Sequence, residues 1–296
     1  MITRRPTHPS ALPDYRADVD SALIAEWDYL AAAHGLRETE QDLLLGLRRA
    51  ALHGQQWWID RDAGLLVDAA AATIPADGVT LDRDRYSGTG GVMFFESPLM
   101  VDLPQHTGDP VSVDAVLWCT AASDETGETE DGGVVIRLVR DVPFGCAIYL
   151  LHFEPDAGYL CVGGSALLFD TATPPRWASG ALGGVTRWVA ALFRLAAQPE
   201  LIEQSESVPD RATRRRAERA GHPSKVTIVR LRQRRINRPD PDDTGRHLTH
   251  RHVVEGHWKW QPYGPGRTER RYIYVAPYVR GPDGAELVLR PRVHVL

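Results

Sequence analysis

The chain has 296 residues, 43% of them hydrophobic and 25% charged; these are globular values rather than disordered ones, and the length suits one large domain or two ordinary ones. The net charge of −5 averages two opposed parts: residues 1–200 carry 14 Arg and no Lys against 28 acidic residues, and residues 201–296 carry 20 Lys and Arg against 11. No stretch approaches the roughly 18 apolar residues of a membrane span, and Cys119, Cys146 and Cys161 lack the paired spacing of a zinc knuckle or a disulfide framework.

The first ten residues carry charge with no apolar run behind them, so no signal peptide is expected. A soluble cytoplasmic protein without a cofactor is the expectation. Residues 1–17 read as a loose arm. A first helix is expected over 20–34, with Leu23, Ile24, Trp27 and Leu30 at helical spacing and Gly35 as its cap. A second is expected over 40–53, capped by Thr39 and ended by Gly54. The short link between them predicts an antiparallel helix pair. The Trp57-Trp58 pair reads as core or as a domain contact. Ser87-Gly-Thr-Gly-Gly lacks the Lys-Ser/Thr ending of a phosphate loop and reads as a turn. Strands are expected at 92–96, 111–119, 134–139 and 147–153, with an acidic solvated loop at 123–131 and further strand at 159–169. A third helix follows over 184–198, with Val185, Trp188, Val189, Leu192 and Ala196 on its buried face.

The fold class is therefore α+β: an N-terminal helix pair plus antiparallel sheet, then a small antiparallel four-stranded C-terminal sheet backed by a helix. The domain division reads as an acidic part (1–200), a basic Pro- and Arg-rich linker or arm (201–223) and a basic β domain (224–296). The linker includes an arginine-rich run at 211–219 that reads as a basic arm or a short helix. The four C-terminal strands are expected near 225–235, 248–260, 270–280 and 286–295, with Gly281-Pro-Asp-Gly as a strong turn signal.

Successive residues of a strand face opposite sides. Alternation places Arg230, Arg232 and Arg234 together on the first strand and Arg251, Glu255, His257 and Lys259 together on the second. It places Tyr272, Tyr274, Tyr278 and Arg280 opposite Ile273 and Val275 on the third, and Arg290, Arg292 and His294 together on the fourth. The expectation is an apolar side packed on a helix and an open side of arginine, histidine and tyrosine. Cations for phosphates and rings for bases suit RNA or single-stranded DNA. The candidate nucleic-acid contacts are Arg230, Arg232, Arg234, Arg251, Lys259, Tyr272, Arg280, Arg290 and Arg292. Arginine outnumbers lysine 32 to 2 over the whole chain and predominates in both parts, so clustering carries more information than number.

His247, His250, His252 and His257 lack the convergence and the cysteines of a zinc site, and no metal is expected. Glu255 and His257 stand two apart, roughly 6–7 Å on one strand face, with Tyr274 nearby. They are the candidate catalytic residues of a metal-independent RNA cleavage, one taking the 2′-hydroxyl proton and the other protonating the leaving group.

Residues 250–296 also carry His250-Arg251, Gly256-His257-Trp258, Gln261-Pro-Tyr-Gly-Pro-Gly, Pro277-Tyr278-Val-Arg-Gly-Pro and a terminal Leu-Val-Leu-Arg. This pattern resembles the C-terminal signature of an uncharacterised family of actinobacteria and their phages and plasmids. The arginine-rich run at 211–219 fits the same pattern, and Glu255 and Trp260 depart from it. The resemblance implies a mobile-element context and no mechanism.

Three readings follow. The first is a nucleic-acid-binding protein of a phage or mobile element whose acidic part regulates or recruits a protein partner. The second is a toxin-like endoribonuclease using His257. The third is an interaction module in which the acidic and basic parts dock on each other.

Overall fold

The N-terminal segment is held down rather than loose. The computed structural model describes residues 5–34, 38–75, 79–81, 83–86, 89–101, 110–120, 144–154, 158–169, 183–232, 251–280 and 287–288. Pro9–Tyr15 form a 3-10 turn, and Leu12 and Tyr15 within it are buried. Helix α1 (Arg16–His34) follows, burying Val19, Leu23 and Trp27 at intervals of four. Helix α2 (Glu38–His53) buries Leu47, Ala50 and Ala51 and ends at Gly54. The expected helix pair is present and the two helices pack on each other.

Strand β1 (Gln55–Ile59) comes next, then helix α3 (Arg61–Ala71), whose N-cap Asp60 accepts the amide of Asp62 at 3.0 Å. Strand β2 (Thr80–Leu81) and the short helix α4 (Arg83–Tyr86) lead to strands β3 (Gly90–Val101), β4 (Val111–Thr120), β5 (Phe144–Glu154) and β6 (Gly158–Phe169). Helix α5 (Gly183–Ala196), strand β7 (Ile202–Ser207), helix α6 (Arg211–Arg219) and strand β8 (Val226–Leu231) complete the main body. The strand expected at 134–139 and the acidic loop at 123–131 lie outside the described residues.

The main sheet has eight strands in the order β2-β6-β5-β4-β3-β1-β8-β7. It is α+β as the sequence implies, but mixed rather than antiparallel. β3 to β6 form an antiparallel run, and β1 is inserted between β3 and β8, parallel to both. The cause is β1 itself, a short apolar strand covered on both faces, as central parallel strands are. Trp57 enters one core and Trp58 the other. Helices α3 and α5 cover the first face, over Met93, Trp118 and Ile148. Helices α1 and α2 cover the second, over Phe94, Leu117 and Tyr149.

The segment expected as a linker, 201–223, holds β7 and α6. β7 and β8 both hydrogen-bond into the main sheet, so β8 is not the first strand of a separate basic sheet. The expected four-stranded antiparallel C-terminal sheet is divided in two. Strands β10 (His257–Tyr263) and β11 (Glu269–Val275) form a two-stranded antiparallel ribbon. Strands β9 (Arg251–Val254), β12 (Tyr278–Arg280) and β13 (Leu287–Val288) form a three-stranded sheet in the order β12-β9-β13, with β13 parallel to β9. Two residues make the division. Pro277 cannot donate to a ladder. At Gly256 a Cβ would lie 2.1 Å from the Tyr274 hydroxyl, so the chain passes a buried ring at a distance only glycine allows.

The N-terminal helices and the loop after α6 meet on Arg16, which is fully buried. Its guanidinium donates to Ala51 O at 3.0 Å, Gly54 O at 2.9 Å and Pro223 O at 3.1 Å, joining the end of α2 to a loop that lies 207 residues beyond Arg16 in the chain. Burial lowers its pKa to about 10. Beside it the rings of His53 and His222 lie 5.5 Å apart. The His222 pKa is held below its ordinary value by burial first, then by His53 and Arg16, with Asp20 opposing. A histidine harder to protonate in the folded state withdraws stability as the pH falls below its unfolded value of about 6.5, and the loss is absent above it. The urea midpoint should fall between pH 7.5 and 5.5, and fall less in His222→Gln. An equal acid loss in both proteins would contradict this role.

Candidate nucleic-acid interface and a carboxylate–imidazole cluster

Strand β11 turns its faces the opposite way from expectation, whereas on β10 His257 and Lys259 are exposed and Trp258 lies on the inward side. In this register Trp258 pairs with Tyr274 and Trp260 with Tyr272. Tyr274 and Trp258 face inward. Their rings are 5.2 Å apart, Trp258 Nε1 donates to Ala70 O of α3 at 2.8 Å, and the Tyr274 amide donates to Gln198 Oε1 at 3.1 Å. Tyr274 is buried, and burial followed by the nearby Glu255 carboxylate raises its pKa. The tyrosine face expected to be open is the anchor, because two large aromatic rings gain more from burial than Ile273 and Val275 on the other side.

Beyond the anchor the ribbon emerges. The Trp260 and Tyr272 rings are 4.4 Å apart, and Arg194 of α5 sits 5.9 Å from the Tyr272 centroid. Trp260 remains 48% exposed and Tyr263 38%. Lys259, Arg267, Arg270 and Arg271 are exposed around them, and the Arg271 guanidinium lies 5.0 Å over the Tyr263 ring. Exposed rings interleaved with guanidinium groups thus occur on this ribbon, although on different residues from most of those expected.

Of the other predicted contacts, Arg230 is exposed on β8 opposite Glu203 of β7, and Arg232 is exposed just beyond β8. Arg251 pairs in register with Leu287, and Arg280 with His252. Arg234, Arg290 and Arg292 lie outside the described residues. The predicted catalytic pair does not share a strand: Glu255 lies in the break before β10, and His257 Nδ1 is 3.3 Å from the Glu255 carbonyl oxygen. The expected same-face spacing of carboxylate and imidazole is lost at Gly256.

Helix α6 buries only Thr213 and Ala217 and exposes Arg211, Arg214, Arg215, Arg216 and Arg219. Part of this charge is used internally. Arg216 grips Asp14 with two bonds, at 3.0 and 2.6 Å, Arg214 lies 3.8 Å from Glu218, and Lys225 is paired with Glu206.

Reading the sequence missed a second polar cluster, where β1 finishes and the β3–β4 register shifts. Asp114 of β4 is 4% exposed. Its Oδ1 lies 3.2 Å from Arg5 Nε, and its Oδ2 accepts the Phe153 amide at 2.9 Å and lies 3.2 Å from His152 Nδ1. His152 Nε2 faces Glu154 Oε2 at 3.4 Å. The Arg5 guanidinium also donates to the carbonyls of Phe95 and Glu96. Tyr159, against this cluster, has a buried hydroxyl with no hydrogen-bond partner among the described residues; burial, then Asp114, raises its pKa. On the other side of the stretch 95–99 a cavity of about 230 Å³ is lined by Ile59, Arg61, Asp68, Phe95, Ser97 and Trp188 among others.

Among the described residues no three His, Cys, Asp or Glu side chains converge as metal ligands, and no helix is long and apolar enough to cross a membrane. No family model matches the chain, and no curated protein matches it.

Proposed function

We propose that this protein binds single-stranded nucleic acid, with the β10–β11 ribbon as its contact surface. The observation that carries this reading is that both faces of the ribbon expose a ring beside cations, Trp260 with Arg270 on one and Tyr263 with Lys259 and Arg271 on the other, with Arg267 at the turn between the strands. A solvated face has no use for exposed tryptophan, whereas stacking of bases on rings and neutralising of phosphates need this combination. The ribbon is anchored at Trp258 and Tyr274 and exposed at its tip, which suits a reading surface carried on a rigid base. The resemblance of residues 210–296 to actinobacterial and phage proteins supports a mobile-element context, and the acidic N-terminal part is assigned the regulatory role.

Fluorescence anisotropy of a labelled single-stranded RNA tests the reading. Trp260→Ala should weaken binding about tenfold or more, since stacking contributes on the order of 1–3 kcal/mol per base. A double substitution, Arg270→Ala with Arg271→Ala, should weaken binding and reduce the steepness of the salt dependence by about 0.7 per lost phosphate contact. Affinity that neither change alters, or that barely responds to salt, would defeat the proposal.

A further inference from the structure

Helix α6 presents a row of cations that the fold does not use. The residues it buries are Thr213 and Ala217. At 3.6 residues per turn, Arg215 stands opposite the midpoint of these two, with Arg211 and Arg219 about 40° to either side. The five arginines therefore divide by position. Arg214 and Arg216 lie on the flanks, where Glu218 and Asp14 balance them. Arg211, Arg215 and Arg219 form the outer row, all exposed, with no acidic partner among the described residues.

Helix stability does not account for this row. Arginines four residues apart repel each other. Arg211 places a cation at the helix start, where the backbone dipole disfavours one, and no acidic residue stands in the first turn. Solubility does not account for it either, since added cations bring a chain of net charge −5 nearer neutrality. Places where a sequence breaks local rules tend to be functional. The fold holds the row as a platform. The Asp210 cap accepts the amides of Ala212 and Thr213 at 2.7 and 2.9 Å, Arg216 grips Asp14, and the His222 amide donates to Ala217 O at 2.9 Å at the far end. Arg219 Nε donates to Arg215 O at 3.2 Å, and both arginines border one open hollow.

We infer that the outer row of α6 is a second nucleic-acid surface, one that grips the phosphate backbone of a duplex. Guanidinium groups bind phosphate oxygens through paired hydrogen bonds. Three of them at intervals of about 6 Å along a rigid helix suit a polymer whose anions are evenly spaced and stiffly held. α6 carries no aromatic ring, so it lacks the stacking platform of a single-strand site. It carries no large apolar side chain, so it lacks the face that enters a lipid surface. Contacts to the backbone carry no sequence information, so the grip is indifferent to sequence. The surface belongs to a different element from the β10–β11 ribbon and does not depend on it.

The test uses the full chain with a short labelled DNA duplex and a labelled single-stranded RNA, each read by anisotropy across a salt series. Arg211→Gln, Arg215→Gln and Arg219→Gln combined should weaken duplex binding about tenfold or more and lower the steepness of its salt dependence by about 0.9 per lost contact. Single-strand affinity should stay near the wild-type value. Glutamine keeps the helix propensity and removes the repulsion, and a thermal melt confirms the fold. Lysine at the same three positions should keep most of the salt dependence, because counterion release needs only the charge. Trp260→Ala should leave duplex binding unchanged. A wild-type protein that ignores the duplex, or a glutamine variant that binds it as before, would overturn the inference. Displacement of the duplex by polyglutamate as readily as by unlabelled duplex would overturn it in favour of an acidic protein partner. Wild-type binding to the duplex and not to the single strand would remove the ribbon reading and leave this one standing.

Discussion

Arg16→Leu is expected to lower the unfolding free energy by roughly 3–5 kcal/mol. Leucine fills part of the volume but donates nothing, so the carbonyls of Ala51, Gly54 and Pro223 lose the partner that now satisfies them. Each buried group left unpaired costs on the order of 1–3 kcal/mol, and the three come from two distant parts of the chain, the end of α2 and the loop after α6. Arg16→Lys is expected to recover only part of the loss, because one ammonium group cannot reproduce the planar fork that reaches three carbonyls. Urea unfolding followed by tryptophan fluorescence reads both. A midpoint for Arg16→Leu equal to that of the wild type would show that the hub carries no stability.

Gly91→Ala should be at least as damaging, on the order of 3 kcal/mol or more. Gly91 pairs with Gln55 where β3 meets β1. A Cβ there would stand 2.0 Å from the Gln55 carbonyl oxygen and 2.8 Å from its amide nitrogen, and both are backbone atoms with no rotamer to yield. The two strands must separate, and the central parallel pair that carries Trp57 and Trp58 separates with them. Gly64→Ala is the matching control, since nothing lies within 4 Å of its added carbon and alanine favours a helix interior by up to about 1 kcal/mol. Melts that move in opposite directions would confirm the contrast. A Gly91→Ala protein as stable as the wild type would refute the close packing of β1 on β3.

The glycine pair at 90 and 91 shows where sequence reasoning stopped. Ser87-Gly-Thr-Gly-Gly reads as a turn because glycine most often marks φ > 0, whereas Gly90 and Gly91 open a strand and are small because a helix and a neighbouring strand press on them. Helices α1, α2 and α5 were legible because their apolar residues recur at helical spacing over fourteen residues or more. β1 has five residues directly after a helix and two leading glutamines, too little for periodicity to resolve. Helix α3 was missed, and α6 was readable only as an arm or short helix, since its run of arginines hides a face of just Thr213 and Ala217. Strand direction was illegible in principle, because alternation reports which residues share a face and not which strand lies alongside.

The site residues follow the same logic. The cations and rings of the ribbon could be read from alternation, but which face turned inward depended on α3 and α5, a tertiary fact. Asp114 and His152 left a usable signal: each is a polar side chain within an otherwise apolar strand, and a charge in such a place needs a partner. The partner lies 38 residues away and was visible only once β4 and β5 were known to be neighbours.

The position of β1 has a consequence for how the chain reaches its fold. This strand forms early in the sequence, yet one of its two neighbours is residues 226–231, so it waits through most of synthesis with an unpaired edge beside two tryptophans. Pairings between such distant segments raise contact order and slow folding, and an open apolar edge invites pairing with other chains in the interval. The main sheet closes only when its late strands arrive, so residues 202–231 of the basic part complete a sheet that the acidic part begins.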